Sequence, residues 1–267
     1  MFGQSTDTTA HDLTVTFAGS GDAFGSGGRF QACIHLSGAG PGGSSLGGSG
    51  LVAPVLIDCG ATSLIALKRL GLDPGDIAAV FVSHLHGDHF GGIPFLILDG
   101  QFSRRTKPLT IAGPPGTGRR LAEAMECLFP GSSTARRRFD TTTIELQPGS
   151  TTTVAGVTVS TWLAEHPSGA PALLLRLNLG RRTLTYTGDT AWTSALADAA
   201  ADADLLIAEA YYLDKQIPHH LSHADLRANR DKLTAKRIIV THMSADMLDH
   251  TDEVDFETAH DGLVISL

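Results

Sequence analysis

The chain has 267 residues, 42% of them hydrophobic, with 20 basic against 28 acidic side chains and a net charge of −8. That is enough apolar chain for one full core in a single domain over 1–267, and no apolar run is long enough to cross a bilayer. The acidic balance argues against gripping long nucleic acid, and the three cysteines (Cys33, Cys59, Cys127), odd in number and without metal-type spacing, indicate neither a disulfide framework nor a cysteine zinc site and fit a soluble protein of the reducing cytoplasm.

Leu13, Val15 and Phe17 alternate with threonines, and Phe30, Ala32, Ile34 and Leu36 with more polar neighbours, so both runs predict half-buried antiparallel strands. The stretch 37–50, rich in Gly and Ser, has too little apolar surface to offset its ordering entropy and reads as a flexible loop. Val55-Leu56-Ile57 predicts a buried strand that stops at Asp58, and leucines at 64, 67 and 70 predict a helix over 62–70 ended by Gly71. Ile77-Ala78-Ala79-Val80-Phe81-Val82 is a second short buried strand, and it runs straight into Ser83-His84-Leu85-His86-Gly87-Asp88-His89. Three imidazoles and a carboxylate in six consecutive residues exceed anything packing requires. On a loop at a strand end His84 and His86 point the same way, as alternate residues of an extended chain do, while Asp88 and His89 turn toward a second ion. Asp58 reads either as a turn or capping residue or as an acceptor that orients a ligand imidazole.

Farther along, Ile93-Pro94-Phe95-Leu96-Ile97-Leu98 reads as core helix or part of an interface, and 116–128 as a helix. The runs before His166, Asp189 and His242 are strand-like, and each of these residues sits where its run stops. A hairpin turn is expected at Asn178-Leu179-Gly180-Arg181 and a helix over 193–200. Glu209 closes Leu205-Leu206-Ile207-Ala208. Ser222 followed by Asp225 makes a capping box that puts His223 in a first helical turn. His219 and His220, after Pro218, lie on an extended approach to that helix and read as rim residues. His11, His35, His250 and His260 have no ligand-type company and read as ordinary histidines.

The HxHxDH pattern, with His166, Asp189 and His242 following in order, resembles the metallo-β-lactamase superfamily over nearly the whole chain. The resemblance implies an α+β, four-layer αββα sandwich holding two divalent metal ions, with zinc favoured and manganese or iron the alternatives. It assigns His84, His86 and His166 to the first ion, Asp88, His89 and His242 to the second, and Asp189 as the bridge. A pair of such ions activates water for hydrolysis. Phe17-Ala18-Gly19-Ser20-Gly21-Asp22, Asp58-Cys59-Gly60 and Thr241-His242-Met243-Ser244 are similar to ribonuclease Z and its smaller phosphodiesterase relatives. There a glutamate–histidine pair approaches the scissile phosphate. Carried onto this sequence, that pair implies that Asp88, Glu209 and His223 are the catalytic residues, with His223 protonating the leaving oxygen and Glu209 orienting it.

Only twenty-two residues separate His166 from Asp189, leaving no room for the arm by which transfer-RNA-processing relatives hold RNA. The expected substrate is therefore a small or cyclic phosphodiester cleaved by metal-activated water. A carbonyl-ester hydrolase (lactonase, thioesterase or β-lactamase-like) is the alternative, and RNA 3′-end processing comes behind it. Relatives of this kind commonly pair, so a homodimer is expected.

Overall fold

The computed structural model describes residues 13–38, 51 and 53–267; the stretch 39–50 of the expected glycine-rich loop, and His11, lie outside them. Two seven-stranded mixed sheets stack face to face. The first contains β1 (Leu13–Gly19), β2 (Cys33–Gly38), β3 (Val55–Ile57), β4 (Ala79–Phe81), β5 (Leu109–Gly113), β6 (Thr141–Glu145) and, at the edge beside β1, β14 (Val264–Ser266). The second runs from β7 (Thr151–Val154) through β8 (Val157–Leu163), β9 (Leu173–Leu179), β10 (Arg182–Tyr186), β11 (Leu205–Glu209) and β12 (Ile238–Thr241) to β13 (Glu257–Thr258). Ser37 and Gly38, expected in the loop, instead complete β2 by pairing with Thr14 and Leu13.

Alternation along each strand builds three apolar layers. Val15, Phe17, Val55, Ile57 and Phe81 face Leu175, Leu177, Leu205, Ile207 and Ile239 in the core between the sheets. The intervening Leu56 and Val80 face outward, under α1 (Ser63–Arg69), α3 (Ile93–Phe102) and α4 (Thr117–Leu128). Leu206, Ala208, Ile238 and Val240 do the same under α5 (Ser194–Ala200), α6 (His223–Ala228) and α7 (Ala245–Asp249). The result is the expected αββα sandwich.

Strands β3 to β6 are mutually parallel, and so are β10 to β13. The C-terminal ends of β3, β4, β10, β11 and β12 therefore deliver Asp58, the 83–89 segment, Asp189, Glu209 and His242, and open α/β sheets gather ligands at such strand ends. A further short helix, α2 (Gly87–Phe90), falls where the sequence predicts only loop. Its turn closes because the carbonyl of His86 accepts from the amides of His89 and Phe90, at 3.1 and 3.0 Å. The change from extended to helical backbone is what turns Asp88 and His89 away from the direction of His84 and His86.

Candidate metal centre

The first-sheet half of the site is built from neighbouring strand ends. Asp58 has a left-handed backbone (φ 56°) that aims its buried carboxylate at the next loop. Its Oδ1 accepts from the amide of Ser83 and its Oδ2 from the Ser83 hydroxyl, both at 2.8 Å, and Oδ2 also lies 2.6 Å from Nδ1 of His89. The Ser83 hydroxyl, having spent its proton on Asp58, can only accept from His84 Nδ1, 3.1 Å away. Both imidazoles thus carry their proton on Nδ1 and turn Nε2 to the centre, the arrangement a metal ligand needs. The loop backbone is held equally tightly. A Cβ on Gly60 would stand 2.1 Å from the carbonyl oxygen of Asp88, and one on Gly92 would stand 2.1 Å from that of Gly60.

The second-sheet half draws on four separate connections. His166, after β8, has Nδ1 2.9 Å from the carbonyl oxygen of His219, which leaves its Nε2 3.0 Å from Nδ1 of His86. Asp189 follows Gly188, whose positive φ (55°) and close approach to Ser83 exclude a side chain. His242 leaves β12 in a left-handed conformation (φ 58°), its amide bonded to the carbonyl of Ser20. His219 is left-handed too, so strained backbone collects around this one centre.

The donor atoms fit divalent cations. Asp88 Oδ2, His89 Nε2, Asp189 Oδ1 and His242 Nε2 form a buried quartet in which five of the six separations are 3.1, 3.2, 3.2, 3.2 and 3.5 Å. A cation held at about 2.0–2.1 Å places tetrahedral ligands roughly 3.3–3.4 Å apart. His84, His86 and His166 form the second group, and Asp189 Oδ2 lies 3.8 Å from Nε2 of both His84 and His166, so its carboxylate spans the two groups. His84 Nε2 is buried without a hydrogen-bond partner, which is costly unless something else binds it. Burial alone would raise the Asp189 carboxyl, but the imidazoles of His242, His89 and His84 outweigh it and hold the group well below the carboxylate range. At His89, burial is likewise outweighed, by Asp189, Asp88 and Asp58, and the imidazole is raised well above its ordinary value. Protons held there are what a bound cation displaces.

Beside Asp189 stands a carboxylate–imidazole pair that differs from the expected Glu209–His223 pair. Glu209 is buried; its Oε2 accepts from the amides of Thr190 (3.0 Å) and Leu221 (3.2 Å), and its Oε1 makes a short contact with Nδ1 of His220. His220 Nδ1 also lies 3.9 Å from Asp189 Oδ2. Burial and the Asp189 charge push the Glu209 carboxyl well above its usual range, so the pair retains a proton between them. His223 is not part of this pair. It does occupy the first turn of α6 behind the capping box of Ser222 and Asp225. From there its ring packs on Phe256, and its Nε2 accepts from the amide of Asp255 at 3.1 Å.

The physical reason is strand pairing. Tyr212 bridges to Ser222, and Tyr211 donates its amide to Leu221, so the chain returns beside β11 before the helix begins and brings His220 to Glu209. The extended approach expected after Pro218 is not what forms: 218–220 make a turn in which His219 is left-handed, and Pro218 signals only that the helix has not yet begun. The near-site residue thus lies on the approach to the cap rather than inside the helix.

A beta-lactamase superfamily domain matches residues 54–243, and the chain belongs to that superfamily. Ribonuclease Z of Methanosarcina acetivorans is 25% identical over 295 aligned positions, covering 91% of this chain and 90% of the relative. Among solved structures, the metallo-beta-lactamase fold protein YhfI of Bacillus subtilis superposes with a TM-score of 0.75 at 20% identity, covering 96% of this chain and 100% of the other. A diphosphatase of the PhnP family superposes with a TM-score of 0.73 at 19% identity, covering 96% and 98%. The fold is thus the metallo-β-lactamase fold, and the family implies divalent metal ions at the histidine–aspartate cluster. Among the described residues, no helix is long and apolar enough to cross a membrane.

Proposed function

We propose that this hydrolase is a phosphodiesterase acting on a small or cyclic phosphodiester, with His220 as general acid. The observation that carries the reading is the buried Glu209–His220 pair beside Asp189. A lactone or β-lactam adds hydroxide first and expels its leaving group in a later step, whereas displacement at phosphorus expels an alkoxide as the nucleophile attacks and gains more from a placed proton. Two divalent cations, zinc by the nitrogen-rich donor set, would be held by His84, His86 and His166 on one side and Asp88, His89 and His242 on the other, with the Asp189 carboxylate facing both groups. When bound they supply Lewis acidity to the phosphoryl oxygens and to water.

The chain's own groups do the rest. Asp58 and the His219 carbonyl fix the tautomers of His89 and His166. Glu209, whose raised carboxyl keeps its proton, donates it to His220 Nδ1, so the ring's own proton sits on Nε2, the atom that would give it to the departing oxygen.

Two further features support a small substrate. The β9–β10 hairpin turns in two residues, Gly180 and Arg181, and offers no arm for a long polyanion. Of the basic groups, Arg105 is spent inside the protein on the carbonyls of Pro74, Ile77, Lys107 and Pro108. The Ribonuclease Z relatives favour RNA 3′ ends as the second reading.

The test is metal-loaded protein assayed against bis-p-nitrophenyl phosphate, a simple lactone, a β-lactam and a 3′-extended transfer RNA, each with a chelated control. Chelator-sensitive cleavage of the diester, with the carbonyl substrates untouched, is the expected result. Preference for the lactone or β-lactam overturns the phosphodiester reading, and preference for the RNA promotes the second one.

A further inference from the structure

One aromatic side chain at the centre is left without a task by the metal ligands and the Glu209–His220 pair. Tyr211 lies two residues beyond Glu209 on chain that is still extended, so its side chain leaves on the same side as the Glu209 carboxylate. Its backbone is pinned on both sides: the amide donates to the carbonyl of Leu221 at 2.8 Å, and the carbonyl accepts from the amide of Ser244 at 3.0 Å. The ring centroid lies 5.2 Å from that of His220 and 6.0 Å from that of His242, and Tyr212 meets it edge-on at 4.9 Å. The ring therefore stands against both the acid and a metal ligand, and it is only partly buried.

The Glu209 oxygens and His242 Nε2, which stand around it, are engaged elsewhere, while His242 Nδ1 is buried without a partner. Glu209 spends its oxygens on His220, Thr190 and Leu221, and His242 Nε2 points to Asp88. Among the described residues none bonds to the Tyr211 hydroxyl. A phenol so placed pairs with water or with whatever occupies the site. A phenol is neutral at working pH and carries a proton to donate.

Resting on the phosphodiesterase reading, we infer that Tyr211 is a substrate-positioning residue whose hydroxyl donates to a non-bridging oxygen of the substrate phosphate. A phosphoryl group in transfer carries negative charge on several equatorial oxygens at once. A general acid covers only the leaving oxygen, and a fixed neutral donor beside His220 and His242 adds a partner for a non-bridging one. A carbonyl substrate has a single developing oxyanion and leaves this hydroxyl idle. Tyr211 thus contributes to selection for phosphorus over carbon.

The experiment compares metal-loaded wild type, Tyr211→Phe and Tyr211→Ala for turnover of bis-p-nitrophenyl phosphate and, separately, for binding of inorganic phosphate by calorimetry. Metal content and thermal midpoint are followed in parallel. Tyr211→Phe, which removes only the hydroxyl, is expected to lower kcat/KM and phosphate affinity about 10- to 100-fold with metal content and midpoint unchanged. Equal phosphate affinity and equal turnover in wild type and Tyr211→Phe overturn the inference, even where the phosphodiesterase reading stands. Wild type that binds phosphate but cleaves no diester refutes the functional reading, and the binding arm then judges Tyr211 alone. Wild type that neither binds phosphate nor cleaves the diester refutes both. A loss confined to Tyr211→Ala assigns the ring a packing role and overturns the inference as well.

Discussion

The two halves of the centre are held in contrasting ways. On the first sheet, Asp58, His84, His86, Asp88 and His89 come from two adjacent strand ends, and the backbone between them is locked by glycine contacts at Gly60 and Gly92. On the second sheet, His166, Asp189, Glu209, His220 and His242 arrive from separate connections and are held chiefly by side-chain bonds to distant backbone, such as His166 to His219 and Glu209 to Thr190 and Leu221. The compact half depends on close packing of main chain. The dispersed half depends on strand pairing across long sequence separations, and its chemistry can be retuned by shifting one connection.

The sharpest way to break this contrast is to exchange the two histidines of the returning connection. His220→Ala is expected to depress diester turnover by about 10²–10⁴ in kcat, the usual yield of a general acid. His223→Ala is expected to leave kcat within about threefold while costing about 1–3 kcal/mol of stability, because the Asp255 amide and the Phe256 ring lose their buried partner. Steady-state kinetics and urea melts on both variants decide it. The reverse pattern would return the acid to α6 and dissolve the strand-return argument.

Legibility in the sequence follows the same division. The density of His84–His89 is legible as a candidate metal site by itself, whereas His166, Asp189 and His242 are legible only as residues at the ends of apolar runs, and the resemblance is what joins them to that site. The αββα layering came through resemblance, and the doubly buried strands bear it out: Val55 and Ile57 face the central core while Leu56 faces the helices. The place of His220 was not readable in the same way. It depends on the Tyr212–Ser222 bridge, a pairing made by backbone geometry on which no side-chain pattern reports. The capping box was legible and correctly placed. The role expected of His223 comes from the resemblance and not from the cap, and the structure places His220, not His223, against Glu209. The one-turn α2 was missed for a related reason, since four residues containing a glycine carry no helical periodicity.

A second measurement sharpens the contrast by asking what lies beneath the compact half. His35, in β2 between Thr16 of β1 and Leu56 of β3, is buried with Nδ1 unpartnered, and burial pulls its imidazole down to about 4. In the unfolded chain it titrates near 6.5. Between those values the unfolded state binds a proton that the native state refuses. The contribution is therefore fully present above about pH 6.5 and is lost as pH falls toward 4, by up to about 3 kcal/mol. Chemical denaturation of wild type and His35→Leu at pH 7.5 and pH 4.5 isolates this histidine from the metal ligands, which titrate in both proteins. Wild type should lose more stability than the variant over that interval; equal losses would remove His35 from the account.

The smallest expected effect concerns the backbone contact that distinguishes the compact half. An alanine at Gly60 places its Cβ 2.1 Å from the carbonyl oxygen of Asp88, and the contacted atom is main chain with no rotamer to give way. Relief therefore has to move the peptide that carries a metal ligand. Gly60→Ala is expected to cost about 1–3 kcal/mol and to weaken binding of zinc in a chelator competition. Gly118, inside α4, is the matched control. Its added Cβ would stand 3.5 Å from Cγ2 of Thr143, an ordinary contact, so Gly118→Ala should stabilise by about 0.5–1 kcal/mol and leave zinc affinity alone. Unchanged zinc affinity in Gly60→Ala would mean that side-chain bonds, above all Asp58 to Ser83 and His89, hold the first half as they hold the second, and the two halves would then be alike.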